Sequence, residues 1–331
     1  MEKIFYPLTQ RRLRASTHIR ALTAAVKLDH RSFIQPVFVE EGLIAARSIK
    51  GLSGVQVHTR ETILDFIAKS ISCGIQKFLL FPVPAENKKD EFKFSFATDL
   101  VRSLKKEFGN DIWLAADICL CSYTSHGHCG ILNEEGTKLL NSQTVDLLAK
   151  YALQLAQAGA DCLAPSDMTD GRIGAIRSSL DAFGLDTVSI MSYSAKFSSQ
   201  FYGPFRDACH SAPSGTALQN RKTYQLSPLN PKDALVSSLR DEQEGADILM
   251  VKPAALYTDI IASLRQQTNK PLAAYQVSGE YAAIVALAEQ GLVNREAAHL
   301  EVWCALARAG ADIIISYAAE RAKEWISKLD Y

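Results

Sequence analysis

The sequence predicts an α/β fold, a closed (β/α)8 (TIM) barrel of eight parallel strands alternating with helices. Along the 331 residues, short apolar and β-branched segments alternate with longer amphipathic segments. The apolar segments lack polar alternation, as strands buried on both faces require. A cassette of helix end, glycine and buried strand also recurs, at 156–165, 244–253 and 307–316. Repeated helix–glycine–strand units, with eight strands, favour a closed barrel over an open sheet.

The barrel strands are predicted from eight apolar segments. These segments are 32–40, 77–84, 112–121, 162–168, 187–196, 248–254, 272–279 and 313–319. The helical patterns between them include 60–72, 143–159 and 294–309. Residues 1–30 are rich in arginine and precede the first strand, so we predict an N-terminal arm outside a barrel domain of residues 31–331. A frayed tail is the alternative for residues 1–30.

The composition argues against two classes of function. Lysine plus arginine number 36, as do aspartate plus glutamate, so the chain lacks the basic excess that nucleic-acid binding requires. No apolar run reaches the roughly 18 residues of a transmembrane helix, and the N-terminus lacks the apolar segment of a signal peptide. The seven cysteines, several of them close together, indicate reduced thiols and not a disulfide framework. We therefore expect a cytoplasmic protein that binds neither nucleic acid nor membrane.

Two lysines are predicted at neighbouring strand ends, where catalytic groups of this fold lie. Lys252 follows the apolar segment ILMV, so burial should lower the pKa of its amine. Lys196 ends the preceding strand, and two nearby ammonium groups lower each other's pKa. A neutral amine can attack a ketone and form a Schiff base. The alternative is that each lysine reaches solvent or pairs with Asp117 or Asp167, but two lysines on adjacent strands favour catalysis.

A cluster of cysteines lies at the end of the third predicted strand (112–121) and in the loop that follows it. Cys119 and Cys121 should point to the same side of that strand, and the glycine-flanked loop can bring Cys129 beside them. Three thiolates suit zinc and leave a fourth position for water or substrate. Two alternatives remain: His126 or His128 completes a structural site, or the three thiols are simply core.

The segment 197–225, which we call the lid segment, is long for a connection in a compact domain and is therefore expected to cover the site. Its Arg206 and Arg221 could bind a substrate carboxylate. The alternative is a solvated basic loop. Other polar side chains are also predicted at the strand ends. They are Ser166, Asp167, Tyr193, Ser278 and Tyr317.

Together these motifs resemble the 5-aminolevulinate dehydratase (porphobilinogen synthase) family. The matching stretches are DICLCSYTSHGHCG, APSDMTDGRIGAIR, MSYSAKFSSQFYGPFRDA, RKTYQ, GADILMVKPA, YQVSGEY and ISY, in that order between residues 117 and 317. The resemblance implies a barrel with an N-terminal arm, assembled as a homo-octamer. It also implies condensation of two 5-aminolevulinate molecules to porphobilinogen, with loss of two waters, in tetrapyrrole (haem) biosynthesis.

The resemblance further implies a role for each matching residue. Lys252 would bind the first substrate as a Schiff base and Lys196 the second, with Asp117 beside both. The other implied roles are zinc binding by Cys119, Cys121 and Cys129; binding of the first carboxylate by Ser278 and Tyr317; binding of the second by Arg206, Arg221 and Gln225; and pocket walls formed by Phe205, Tyr193 and Tyr202. Ser166 is predicted to contact substrate as well.

One family metal is predicted to be absent. Many bacterial relatives bind an activating magnesium through a glutamate fifteen positions before the Schiff-base lysine, and here that position is Ser237. Serine is a neutral, weak ligand, whereas magnesium prefers carboxylate oxygen. Asp233 and Asp241 lie one turn away, which leaves a shifted site open. The chain also departs from the family at Pro82 and Asn220, without loss of a catalytic group.

Two competing functions explain part of the pattern. A class I aldolase is also a Schiff-base barrel, but it accounts for only one lysine and none of the three clustered cysteines. An inactive zinc-binding homologue should lack a lysine or a metal ligand, and the sequence retains all of them.

Overall fold

Eight parallel strands close a barrel, which confirms the predicted fold. The computed structural model describes residues 10–85 and 92–329. Its barrel strands are β1 (Phe33–Glu40), β4 (Lys77–Val83), β5 (Trp113–Ile118), β6 (Cys162–Pro165), β7 (Ser189–Lys196), β8 (Ile248–Lys252), β9 (Leu272–Tyr275) and β10 (Ile313–Ile315). They are neighbours in chain order, and β10 pairs back onto β1 to close the barrel. Two short strands that the sequence analysis missed, β2 (Arg47–Ser48) and β3 (Gln56–His58), extend the sheet beside β1.

The predicted strands are correct in number and position, but several were predicted to end too late. The third ends at Ile118 instead of 121, the fourth at Pro165 instead of 168, and the seventh at Tyr275 instead of 279. After the third strand the apolar composition continues as Cys119-Leu120-Cys121, whereas the strand ladder stops at Ile118. The residues beyond the strands therefore form the turns that line the mouth of the barrel.

Helices connect the barrel strands, and the short helix at residues 203–208 belongs to the lid segment. They are α2 (Thr62–Ser72), α3 (Ser95–Phe108), α4 (Asn141–Gln157), α5 (Arg172–Ala182), α6 (Gly203–Ala208), α7 (Pro231–Gln243), α8 (Thr258–Arg265), α9 (Ser278–Glu289), α10 (Arg295–Ala309) and α11 (Ala322–Ser327). The three predicted helices correspond to α2, α4 and α10. Asn294 caps the start of α10, and the cassette glycine Gly310, with φ 112°, follows its end as predicted.

The core lies in the barrel interior and beneath these helices. Phe33 of β1 packs edge-on against Trp303 of α10, with ring centroids 4.7 Å apart. Burying one such side chain contributes roughly 1.5–3 kcal/mol. This packing fixes the strands, so that groups at their carboxyl ends are held on a rigid frame.

The predicted arm of residues 1–30 is only partly described, because residues 1–9 lie outside the described ranges. Helix α1 (Thr17–Thr23) follows a 3-10 turn at Arg11–Arg14, and neither element buries a side chain. A role for residues 1–30 in contacting a neighbouring subunit remains a prediction. Within the described residues, no helix has the length and apolar character needed to span a bilayer.

Candidate active site

The two predicted lysines meet at the mouth of the barrel. Lys196 is the last residue of β7 and Lys252 the last of β8, and the two are register partners across these parallel strands. A register shift between Ser192 and Ala195 interrupts β7 just before Lys196. Both lysines are buried, with side chains 6% and 3% exposed. The structure therefore places two amines side by side in a site screened from solvent.

Lys252 lies in a cage of aromatic rings. Its Nζ lies within 6.0 Å of five ring centroids, and the nearest, that of Tyr275, is 4.1 Å away. The other rings belong to Tyr193, Phe205, Tyr202 and Phe81. Burial, together with the charge of Lys196, lowers the pKa of Lys252 to about 7. A large fraction of this amine is therefore uncharged at neutral pH, the form that attacks a carbonyl.

Lys196 has a polar neighbour instead. Its Nζ donates a hydrogen bond to the carbonyl oxygen of Ser166, the residue after β6. Asp117 of β5 acts electrostatically on both lysines. Burial raises the pKa of its carboxyl to about 7, although the Lys196 charge opposes the shift. Asp117 can therefore either donate or accept a proton near neutral pH.

The three predicted cysteines also come together. The sulfur atoms of Cys119, Cys121 and Cys129 lie within 4.8 Å of one another, and all three residues are buried. The predicted strand geometry of this cluster is wrong, because β5 ends at Ile118, and Cys119 and Cys121 lie in the following turn. In that turn, Cys121 N–H donates to Cys119 Sγ at 3.4 Å.

The thiol cluster fits a zinc ion. Zinc–sulfur bonds of about 2.3 Å place ligand sulfurs roughly 3.8 Å apart, so small side-chain movements suffice. Hydrogen bonds from Cys119 and Cys129 lower the pKa of Cys121 well below its usual range, and the charges of Arg221 and Lys196 act in the same direction. The lowered pKa favours the thiolate form of Cys121, and thiolates are the form that binds metal.

The two nearby histidines are engaged elsewhere. His128 Nδ1 lies 3.0 Å from the Tyr224 hydroxyl and Nε2 lies 3.0 Å from the Leu218 carbonyl oxygen. His126 Nδ1 accepts the backbone N–H of His128 at 3.1 Å. Among the described residues, the metal-ligand cluster at this position contains only the three cysteines. The three thiols therefore offer three ligands and would leave a fourth coordination position of a bound metal open.

The lid segment carries unsatisfied polar groups into the site. It contains a 3-10 turn at Gln200–Tyr202 and the short helix α6. Arg206 Nε, Arg221 Nε and both side-chain polar atoms of Gln225 are buried without a hydrogen-bond partner, as are Asp117 Oδ1 and the Tyr193 hydroxyl. Each unpaired buried group costs about 1–3 kcal/mol. Their concentration here is what a polar ligand would compensate.

Ser278 and Tyr317 each contact a residue whose ring surrounds Lys252. Ser278, predicted at the end of a strand, is instead the first residue of α9. Its Oγ accepts the N–H of Phe205 at 3.1 Å and donates to the Phe201 carbonyl oxygen at 3.3 Å, so it contacts the lid segment. The Tyr317 hydroxyl lies 3.1 Å from that of Tyr275. Ser278 and Tyr317, the two residues predicted to bind the first carboxylate, thus lie close to Lys252 and the aromatic rings around it.

Several neighbours of the site were not predicted. Tyr275 and Phe81 face Lys252, but an aromatic residue in a barrel strand has the same pattern as any core residue. Cys209 lines one cavity with Cys119 and Cys121. Ser211 accepts a hydrogen bond from Arg221 through its carbonyl oxygen and has a buried, unpaired hydroxyl. For Cys209 and Ser211, their location in the lid segment was the only sequence feature that indicated a place near the site.

The position expected to lack magnesium lies on α7, beside a cavity of about 550 Å³. Ser237 is buried, and its Oγ donates to the Ser194 carbonyl oxygen at 2.8 Å. Arg240 pairs with Asp170 at 2.6 Å and with Asp241 at 3.2 Å, while Asp241 is also bound by Arg172. These carboxylates already face guanidinium groups. Asp170 and Asp241 are therefore not free to bind a magnesium ion, whereas Asp233, which also lines the cavity, is exposed.

Paired buried lysines, one in an aromatic cage, and a thiol cluster at the mouth of a barrel are typical of barrel enzymes that form imines with carbonyl substrates. The model of the delta-aminolevulinic acid dehydratase family matches residues 8–325. A dehydratase of this name from Halalkalibacterium halodurans is 41% identical over 324 residues, covering 96% of each chain. One from Helicobacter pylori is 42% identical, covering 94% of this chain and 96% of its own.

A solved structure agrees with these sequence matches. The delta-aminolevulinic acid dehydratase (porphobilinogen synthase) of Toxoplasma gondii, in complex with the reaction product porphobilinogen, superposes with a TM-score of 0.92 at 38% identity. The match covers 97% of this chain and 92% of that one. The chain belongs to the delta-aminolevulinic acid dehydratase family.

Proposed function

We propose that this protein condenses two molecules of 5-aminolevulinate to porphobilinogen, with loss of two waters, through imines on Lys252 and Lys196. The observation that carries the proposal is the pairing of the two buried amines at the ends of β7 and β8, beside three clustered thiols. Family membership supports the reaction, and the surroundings of each amine support its role. An aldolase would not need the second lysine or the thiols.

The first step follows from the surroundings of Lys252. Its neutral amine attacks the ketone of the first 5-aminolevulinate, a C–N bond forms, and the ketone oxygen leaves as water. Asp117 would give that oxygen a proton and recover one later, since a pKa of about 7 allows both. Ser278 and Tyr317 would hold the carboxylate of this molecule. The aromatic cage excludes water that would hydrolyse the imine.

The second substrate would bind between Lys196 and the lid segment. Arg206, Arg221 and Gln225 have buried polar atoms without partners, which supports a role in binding its carboxylate. Lys196 would release the Ser166 carbonyl and form the second imine. Holding both molecules in one site converts a bimolecular encounter into a positioned reaction.

Zinc would be held by Cys119, Cys121 and Cys129. When bound, it supplies a Lewis acid beside the second substrate. The chain's own contribution there is to keep a thiolate at Cys121, through its hydrogen bonds to the other two thiols and the nearby charges of Arg221 and Lys196. The oligomer is proposed to be the homo-octamer of the family, acting in the cytoplasm on 5-aminolevulinate alone.

One experiment tests this function. Purified protein is incubated with 5-aminolevulinate, zinc and a thiol reductant, and porphobilinogen is detected with an acidic aldehyde colour reagent. We expect product in proportion to enzyme and time, and no product from the Lys252→Ala protein. Cleavage of a sugar phosphate without porphobilinogen formation would instead favour the aldolase.

A further inference from the structure

A buried carboxylate outside the predicted catalytic set joins the two sides of the Lys252 pocket. Glu280 lies in the first turn of α9 and is 6% exposed. Its Oε2 accepts the N–H of Val277 at 2.8 Å, which caps the start of its own helix. Its Oε1 accepts the N–H of Ala255 at 2.9 Å, three residues after Lys252. One side chain therefore ties the turn after β8 to the start of α9.

This contact is energetically costly to keep. Burial raises the pKa of Glu280 to about 7, and the N–H groups of Val277 and Ala255 oppose that shift. The backbone amides of Leu256 and Ala254 act in the same direction. Packing alone does not require a carboxylate at this position, since an apolar side chain would fill the same space without the desolvation cost.

The two segments that Glu280 joins each carry part of the site. The segment after β8 begins at Lys252, whose carbonyl oxygen accepts the Tyr202 hydroxyl at 3.1 Å. The start of α9 carries Ser278, which contacts the lid segment. Gly279 lies so close to that segment that an added Cβ would be 2.7 Å from the backbone of Phe201. A shift of α9 would therefore move the lid segment relative to Lys252.

We propose that Glu280 is a positioning residue for the reaction. It holds the turn after Lys252 at a fixed position relative to Ser278, so that the Lys252 amine and the carboxylate-binding group act on one substrate molecule. This inference rests on the proposed function. Glu280 itself touches neither substrate nor the reacting atoms, and it acts through Ala255 and Val277.

The test compares Glu280→Gln with Glu289→Gln, the same chemical change at an exposed position of the same helix. Glutamine offers one acceptor oxygen, so its NH₂ must face one of the two N–H donors. Each protein is mixed with saturating 5-aminolevulinate and cyanoborohydride well below its melting temperature. The rate of adduct formation on Lys252 is then measured by peptide mass spectrometry.

We expect adduct formation to slow about 10- to 100-fold in Glu280→Gln, the cost of misplacing a reacting group by about 1 Å, and to be unchanged in Glu289→Gln. A purely structural role would lower the melting temperature and leave this rate unaltered, which would overturn the inference. Absence of adduct in the wild-type protein would instead overturn the proposed function, and this inference with it.

Two further measurements test the inference if the Glu280→Gln protein fails to fold. Glu280→Asp keeps the charge but retracts the carboxylate by one methylene, and it should slow adduct formation in the same way. In the wild-type protein, hydrogen exchange should show the amide of Ala255 protected. Exchange of that amide at the rate of an unprotected one would overturn the inference without any variant.

Discussion

Lys252 and Lys196 are register partners at the ends of adjacent strands, yet their surroundings differ. Five aromatic rings surround the Lys252 amine, whereas Lys196 lies 5.5 Å from one ring and donates to a backbone carbonyl. Apolar surroundings favour the neutral, nucleophilic amine. A carbonyl acceptor instead orients the amine until substrate replaces it. The difference shows that one barrel can place two identical side chains in unlike surroundings, and we therefore expect Lys252 to act before Lys196.

The largest expected effect separates the two lysines. Lys252→Ala should reduce porphobilinogen formation by at least ~10³-fold, and Lys252→Arg should not restore it, because a guanidinium stays protonated. Borohydride with 5-aminolevulinate should label Lys252 in the wild-type protein. Lys196→Ala should also stop turnover but keep the label on Lys252.

The borohydride adduct on Lys252 tests whether Lys252 forms its imine before Lys196 does. If Lys196→Ala loses the adduct on Lys252 while the protein remains folded, the two lysines do not act in the order that their surroundings indicate. Adducts found only on surface lysines would contradict imine formation at either position.

Metal removal should affect the two lysines differently. The thiol cluster interacts with Lys196, whose charge helps to lower the pKa of Cys121. A chelator, or Cys→Ala substitution at all three positions, should lower porphobilinogen formation by roughly 10²-fold or more, and zinc with reductant should restore the chelated protein. Imine trapping on Lys252 should persist without metal.

Cys304→Ala is the matched control, because this thiol lies outside the cluster and should be replaceable without loss. Full turnover by the metal-free triple variant would show that the cluster is not a required metal site.

The aromatic cage predicts a pH dependence for the first imine. Because burial lowers the pKa of Lys252 to about 7, its amine is mostly neutral above pH 7 and mostly protonated below it. At pH 6 the rate of adduct formation on Lys252 should be roughly a tenth of its plateau. Replacing Lys196 by methionine removes a positive charge, so the midpoint should move to higher pH.

The measurement is the initial rate of adduct formation between pH 5.5 and pH 9, in steps of about half a unit. A midpoint near 10, the ordinary range of a lysine amine, would show that the cage does not prepare Lys252 for attack.

The sequence predicted what local patterns encode. Lys196 and Lys252 follow apolar strands directly, so their places at the barrel mouth follow from strand order alone. The three cysteines are close in sequence, and a turn brings them together even though the predicted strand geometry was wrong. The end of α10 was predictable from Gly310, the glycine of the repeated helix–glycine–strand cassette.

The sequence could not predict contacts between distant segments. Tyr275 has the pattern of a core residue, and only the closed barrel shows that its ring faces Lys252. Glu280 has the pattern of a helix-capping glutamate, whereas its second partner, Ala255, is fixed by tertiary structure. Cys209 reaches the thiol cavity because the lid segment folds back over the barrel, which no local pattern encodes.

The smallest expected effect is that of magnesium. α7 precedes β8, the Lys252 strand, and Ser237 of this helix donates to the carbonyl oxygen of Ser194, two residues before Lys196. Magnesium needs carboxylate oxygens, but Asp241 is held by Arg172, Ser192 and Arg240. Asp233 is exposed and is a single carboxylate. With zinc fixed and magnesium raised from none to millimolar, activity and octamer content should change by less than ~2-fold. A several-fold rise in either, abolished by Ser237→Lys, would show that this helix binds magnesium and that the strand bearing Lys196 responds to it.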